Sequence, residues 1–279
     1  LEELARVYGY NRLPASPIHA DLHMSARPET RLSVRQLRRH LSARGYREAI
    51  TYSFVDPKLQ QLVDPELAPV ALRNPISADM AVMRTSLLPG LLAAVVRNSN
   101  RQQPRTRLFK TGLRFVPGSE GLQQVRTLAM VVTGQRFAES WSVATEGVDF
   151  YDMKGDVESL FALSRDSAGF EFAAGERPAL HPGQTAWISR NGQRVGYLGA
   201  LHPKIQGELG LHTPLYACEI DLEAVLEGSV PGFTELSRFP EVRRDLAVIV
   251  DKSLPAAKLM ENVRAVAGSY LTDLRLFDV

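Results

Sequence analysis

Apolar positions in residues 87–96 recur every three or four places, which predicts a helix with one buried face. Ser86 comes directly before this run and is a candidate N-cap. Pro89 then falls in the first turn, where its missing N–H costs no hydrogen bond. Residues 98–104 are polar and end in a proline. We therefore expect the helix to end there and a loop to lead into a strand.

The same spacing rules predict elements along the whole chain. A helix ends at Gly9, and Thr30 is expected to cap a helix that ends at Arg44. Asn191-Gly192 is the strongest short hairpin signal. Further helices are predicted at residues 152–163, 222–226 and 256–267. Strands are predicted at residues 46–55, 126–133, 186–189, 193–201, 216–220, 246–250 and 271–277. This order predicts an α+β fold, with an antiparallel sheet followed by a partial βαβ unit.

Length and composition suggest an ordinary globular protein of roughly two domains, since domains average about 150 residues. The chain has 279 residues, 44% of them hydrophobic, and a net charge of +2. Its lone cysteine, Cys218, excludes an internal disulfide and a cysteine-based zinc site and fits a reducing compartment. No apolar run is long enough to span a membrane and no signal peptide is evident, so we expect a cytoplasmic protein without a membrane partner. The chain starts without Met and stops within a predicted strand, as expected for a fragment.

Positive charge is concentrated in one stretch, because residues 80–119 contain no Asp or Glu. The cations there are Arg84, Arg97, Arg101, Arg105, Arg107, Lys110 and Arg114. Two explanations stay open: a site for phosphates or RNA, or a basic face whose arginines are solvated or pair with carboxylates elsewhere. A second cluster, Arg238, Arg243 and Arg244 beside Phe239, suits stacking on bases. No nucleophile motif or Walker loop is present, and Asp149 and Asp152 are interpreted as helix-capping residues.

Four segments together resemble the β-subunit family of bacterial phenylalanyl-tRNA synthetases. They are residues 2–11 (EELARVYGYN), 45–54 (GYREAITYSF), 180–184 (LHPGQ) and 237–247 (SRFPEVRRDLA). The resemblance covers essentially the whole chain. It implies that residues 1–20 are the tail of a preceding domain, that residues 21–228 are a class II synthetase-like module with flanking helices, and that residues 229–279 begin a ferredoxin-like anticodon-binding domain.

By this resemblance, the module is catalytically silent and no catalytic residue is expected. Residues 45–51 look like the interface motif of class II enzymes, with Tyr52 in place of the usual proline. Val116 and Gly118 occupy the positions of the arginine and glutamate that hold ATP, and Leu222 that of a second ATP arginine. Apolar side chains cannot replace bidentate cations on a phosphate. ATP is therefore expected to bind to the α subunit.

The resemblance also implies cofactors and partners. Glu2 and Glu3 match paired glutamates of a magnesium site at the contact with the α subunit, although the family's upstream acidic ligands are missing. The expected partners are tRNA, with Arg238, Arg243 and Arg244 as RNA contacts, and the α subunit in an assembly of two α and two β chains. No DNA partner is expected. The alternative is a free-standing, silent paralogue that acts as a regulatory or ligand-binding module.

Overall fold

The structure is a computed structural model that describes residues 1–17, 19–21, 28–118, 121–233, 235 and 238–278. It divides into two compact units, Leu1–Pro231 and Gly232–Val279. The helices of the first unit are α1 (Glu2–Tyr8), α2 (Val34–Ala43), α3 (Pro57–Val63), α4 (Leu88–Ser99), α5 (Phe150–Leu163), α6 (Pro203–Glu208) and α7 (Leu222–Leu226). Its strands are β1 (Arg47–Glu48), β2 (Phe54–Val55), β3 (Val82–Met83), β4 (Thr106–Gly118), β5 (Gly121–Thr133), β6 (Phe170–Ala174), β7 (Leu180–Arg190), β8 (Gln193–Leu201) and β9 (Leu215–Asp221). The second unit contains α8 (Ala256–Ala267). Among the described residues, no helix is both long and apolar enough to cross a membrane.

A seven-stranded sheet with the order β1-β4-β5-β9-β8-β7-β6 organises the first unit. Every neighbouring pair is antiparallel except β1 with β4, which is parallel. A separate two-stranded antiparallel sheet pairs β2 with β3. The prediction of an α+β fold with a largely antiparallel sheet is therefore confirmed.

Both faces of the large sheet are buried, because side chains alternate between its two sides. In β5, Leu128 and Met130 belong to a core that also contains residues of α2 and α5. Ala129 and Val131 belong to the opposite core, which contains the apolar residues of α4. The predicted buried face of α4 is confirmed, since Leu87, Leu88, Leu91, Leu92 and Val95 are at most 1% exposed.

Two local signals, a helix cap and a hairpin turn, are confirmed. Asp149 caps α5 in a capping box, with its side chain accepting from the Asp152 N–H and the Asp152 side chain accepting from the Asp149 N–H. The β7–β8 hairpin turns at Asn191 and Gly192, which have φ values of 51° and 77°. Both residues thus have positive φ, as a two-residue I′ turn requires.

Several predicted boundaries differ from the structure. The N-cap of α2 is Ser33 rather than Thr30, because Ser33 and Gln36 form a reciprocal capping box. The N-cap position of α4 is Leu87 rather than Ser86, and the helix continues through Asn98 to Ser99. Residues 46–55 form only the short strands β1 and β2.

The two strands predicted in the second unit are wrong. Residues 246–250 and 271–277 lie in no β-ladder among the described residues, and most are exposed. Strand propensity alone does not make a sheet, since each strand needs a partner for its N–H and C=O groups. The helix predicted between them is present as α8.

Candidate functional site

Two cations of the acid-free stretch, Arg84 and Lys110, are buried beside α4. Arg84 is 3% exposed and donates to the carbonyl oxygens of Leu113 at 2.8 Å and Tyr52 at 2.9 Å. Burial lowers the pKa of its guanidinium. Lys110 is 8% exposed, and burial together with the charge of Arg84 lowers the pKa of its ammonium. Both side chains are buried within the fold, so neither is accessible to a phosphate in solution.

A third cation of the stretch, Arg107, is used in a buried ion pair on the other face of the sheet. Its Nη1 donates to Oδ2 of Asp156 at 2.8 Å, and the two side chains are 7% and 5% exposed. The same carboxylate accepts from the Tyr46 hydroxyl and from Nε of Arg44, both at 2.7 Å. Burial, followed by the charge of Asp156, raises the pKa of Tyr46. Asp156 thereby connects α5 to β4 and to the segment after α2.

The remaining cations of the stretch divide into paired and exposed groups. Arg114 pairs with Asp221 at 3.0 Å, and Arg105 donates to the carbonyl oxygens of residues 135 and 136. Arg97 and Arg101 are exposed and form no ion pair within the part of the chain that the structure describes. Contacts within the fold therefore account for the buried members of the stretch, in contrast to these two exposed arginines.

Glu219 is the centre of the polar contacts on the α4 face. It is 5% exposed; its Oε1 accepts from the Leu87 N–H at 2.9 Å, and its Oε2 accepts from the hydroxyls of Ser86 and Tyr197, each at 2.6 Å. A carboxylate at this position satisfies a free N–H at the start of α4 and interacts favourably with the helix dipole. Burial and the charge of Glu219 raise the pKa of Tyr197. Glu219 was not predicted from the sequence. Its signal there is an acidic residue that directly follows the apolar residues 215–218 of the strand.

A second buried polar group joins α3 to the same region. The Thr85 hydroxyl donates to Asp64 and accepts from Nε2 of Gln60 at 2.6 Å. Asp64 also accepts from Nη2 of Arg177 at 3.2 Å, and the Arg177 guanidinium lies 4.9 Å from the Tyr197 ring centroid. Most polar side chains on this face are therefore hydrogen-bonded to one another, although Nε of Arg177 has no hydrogen-bond partner among the described residues.

Comparisons with known proteins show the family. The family model described as "Phenylalanyl tRNA synthetase beta chain CLM domain" matches residues 13–222. The chain belongs to the phenylalanyl-tRNA synthetase β-chain family. A second model, "Ferredoxin-fold anticodon binding domain", matches residues 237–279.

Individual relatives give the same assignment. The chain is 54% identical over all of its 279 residues to proteins named "Phenylalanine--tRNA ligase beta subunit" from Pseudomonas fluorescens and Pseudomonas putida. It spans 35% of the length of each of these relatives. A pyrrolysyl-tRNA synthetase structure from Desulfitobacterium hafniense is similar in fold, with 14% identity, a TM-score of 0.50, and coverage of 71% of this chain and 67% of that one.

In this chain, none of the three positions that the resemblance aligns with ATP-binding residues carries a cation. Val116 and Gly118 lie near the end of β4, half-buried and exposed respectively. Leu222 is 2% exposed and packs in the core shared with α2 and α5. The face that Leu222 joins is opposite to the one that holds Glu219.

The residues predicted to bind magnesium, Glu2 and Glu3, are exposed at the start of α1. Glu3 pairs with Arg6 at 2.6 Å. Among the described residues, no group of at least three His, Cys, Asp or Glu side chains could hold a metal ion. Mg²⁺ requires near-octahedral oxygen coordination. Two adjacent carboxylates, one of them ion-paired, do not supply such a site by themselves.

The predicted RNA contacts Arg238, Arg243 and Arg244 are all exposed in the second unit. Arg243 pairs with Glu241 at 2.6 Å, and Nη1 of Arg244 donates to the Arg243 carbonyl oxygen at 2.9 Å. Both contacts are local and lie at the surface, where ion pairs contribute little to stability. These arginines are therefore accessible to an outside anion, in contrast to the buried cations of the first unit.

Proposed function

We propose that this chain is the part of a phenylalanine–tRNA ligase β subunit that supports the enzyme, while the α subunit performs the chemistry. The observation that carries the proposal is the internal use of the cations on the sheet. Arg84 and Arg107 are buried and bonded to carbonyl or carboxylate oxygens of the same chain. A side chain that is buried in such contacts is not available to hold ATP.

The domain assignment that goes with this proposal divides the chain into three. Residues 1–20 are the tail of a preceding domain, and residues 21–228 form a class II synthetase-like module without its own ATP site. Residues 229–279 begin the ferredoxin-like anticodon-binding domain. The family models for residues 13–222 and 237–279 and the similarity to a pyrrolysyl-tRNA synthetase support this division.

We propose the segment after β1 as part of the contact with the α subunit. Ile50 and Tyr52 are 96% and 62% exposed, and the Tyr52 ring stacks on Phe54. Large apolar and aromatic side chains that are exposed together mark protein-binding surfaces. In the complete enzyme this surface contributes to an assembly of two α and two β chains, located in the cytoplasm.

The proposed nucleic-acid contact lies in the second unit, where Arg238, Arg243 and Arg244 present cations to tRNA phosphates and bases. ATP binds to the α subunit in this scheme. Glu2 and Glu3 contribute to magnesium binding only when further oxygen ligands from outside the chain complete the coordination.

Pyrophosphate exchange tests the central proposal. The purified chain alone is expected to show no phenylalanine-dependent exchange of pyrophosphate into ATP. The complex of the full-length β subunit with the α subunit is expected to show this exchange. Adding the full-length β subunit to a catalytically inactive α subunit should restore no exchange. Phenylalanine-dependent exchange by the purified chain alone would show that its module is an active ligase.

A further inference from the structure

We propose that a small cavity on the α4 face of the sheet binds a small oxyanion, a phosphate or a carboxylate. The cavity has a volume of about 160 Å³. The side chains that matter for its chemistry are Thr85, Arg114, Arg177, Trp187, Arg194 and Tyr197. The cavity lies wholly within the first unit, so the inference does not depend on the proposed role in tRNA charging.

Most of the hydrogen-bond acceptors that line the cavity already accept from donors of the same chain. Both oxygens of Glu219 accept hydrogen bonds, from Leu87, Ser86 and Tyr197. The Thr85 hydroxyl is held between Asp64 and Gln60. Asp221 accepts from Arg114. A bound cation would have to compete with these donors for the same carboxylates.

Donors, in contrast, are left over around the cavity. Nε of Arg177 is buried without a hydrogen-bond partner, although its two terminal nitrogens pair with Asp64 and Glu66. Arg114 uses Nε on Thr127 and Nη2 on Asp221, which leaves its Nη1 without a contact among the described residues. A buried polar group without a partner in a native fold calls for a water or an ion that completes it.

Arg194 supplies the exposed cation of the cavity. Its guanidinium lies 3.9 Å from the Trp187 ring centroid, and the side chain forms no ion pair within the part of the chain that the structure describes. The other two arginines of the cavity have carboxylate partners in Asp221, Asp64 and Glu66. Stacking on Trp187 holds the guanidinium in place and leaves its planar N–H groups available for bidentate contact with an oxyanion.

The size of the cavity limits the ligand. An engineered protein cavity of about 150 Å³ holds benzene, a molecule of six heavy atoms. A cavity of about 160 Å³ therefore accepts phosphate, acetate or the carboxylate end of a small metabolite. It is too small for a whole nucleotide, since pockets for larger ligands occupy roughly 300–1,000 Å³.

The test measures binding of inorganic phosphate and of acetate to the complex of the full-length β subunit with the α subunit. Isothermal titration and equilibrium dialysis with labelled anion are expected to give saturable binding at one site per β chain. Arg194→Gln should weaken that binding about tenfold or more, because a hydrogen-bonded ion pair is lost. Arg101→Gln is the matched control, since it removes an equally exposed charge away from the cavity and should leave binding unchanged.

The outcomes separate the possibilities. Phosphate binding without acetate binding, or the reverse, supports the site and identifies which oxyanion it prefers. Binding that Arg194→Gln leaves unchanged places the anion elsewhere, for example in the α subunit, and overturns the proposal. The absence of saturable binding of either anion at millimolar concentration overturns it as well. Circular dichroism of the variants confirms that Arg194, an exposed residue, was replaced without unfolding the chain.

Discussion

Removing the carboxylate of Asp156 should destabilise the chain severely. The change Asp156→Ala leaves the Arg107 guanidinium, which is 7% exposed, without its ion-pair partner, and the buried Tyr46 hydroxyl without its acceptor. Breaking a buried ion pair from one side costs about 3–5 kcal/mol, because the remaining charge stays buried and uncompensated. Total stabilities of about 5–15 kcal/mol make this a large loss.

The matched control is Asp221→Ala, which breaks the ion pair with Arg114. Those two side chains are 27% and 36% exposed, so water can replace the lost partner. Its expected cost is about 1 kcal/mol or less. A third variant, Arg107→Met with Asp156→Leu and Tyr46→Phe, replaces the buried polar groups by apolar ones and should recover most of the loss, since such replacements are often close to neutral.

Urea unfolding followed by far-ultraviolet circular dichroism measures all three free energies. The expected result is a lower midpoint for Asp156→Ala with an unchanged slope, which indicates a change in stability rather than in the exposed surface. Equal small losses for Asp156→Ala and Asp221→Ala would refute the argument. Arg107 would then be available for binding and would not be a structural cation of the fold.

Three other predictions concern the framework and its surfaces. Glu219→Ala should lower the free energy of unfolding by about 2–4 kcal/mol, because it removes the acceptor of Ser86, Tyr197 and the Leu87 N–H. Glu219→Gln should cost less, and similar urea midpoints for the two variants would contradict this. Tyr52→Glu in the full-length β subunit should weaken its association with the α subunit, measured by sedimentation. The control Trp141→Glu changes a residue that is 99% exposed and should leave association unchanged. Equal effects of the two variants would refute the proposed contact. Arg243→Glu with Arg244→Glu should lower the affinity of the complete enzyme for tRNA and flatten its dependence on salt, and an unchanged salt slope would exclude both residues as phosphate contacts.

Local patterns predicted the elements whose causes are local. The spacing of apolar residues found the buried face of α4, and Asn191-Gly192 located the β7–β8 turn at its observed position. The same method gave Thr30 instead of Ser33 as the cap of α2, since both are good capping residues. Only the Gln36 side chain, which completes the capping box, decides between them.

Predictions that depend on pairing across the chain were less secure. Residues 246–250 and 271–277 have the composition of strands, yet neither pairs in a ladder among the described residues. Residues 46–55 likewise form two short strands that pair with different partners, β1 with β4 and β2 with β3. Strand formation depends on the hydrogen bonds of a neighbouring strand, which composition does not contain.

The sequence by itself determined the family, the α+β class, the amphipathic helices and the presence of a basic stretch without acidic residues. It left two explanations for that stretch, because charge along a chain does not show where the counter-charges lie. The tertiary structure located counter-charges for part of the stretch by bringing Asp156 to Arg107 from 49 residues away and Asp221 to Arg114 from 107 residues away. Ion pairing falls off with distance in space, and burial sets its strength. Both quantities exist only in the folded chain, where the arginines that resembled a binding site became part of the framework.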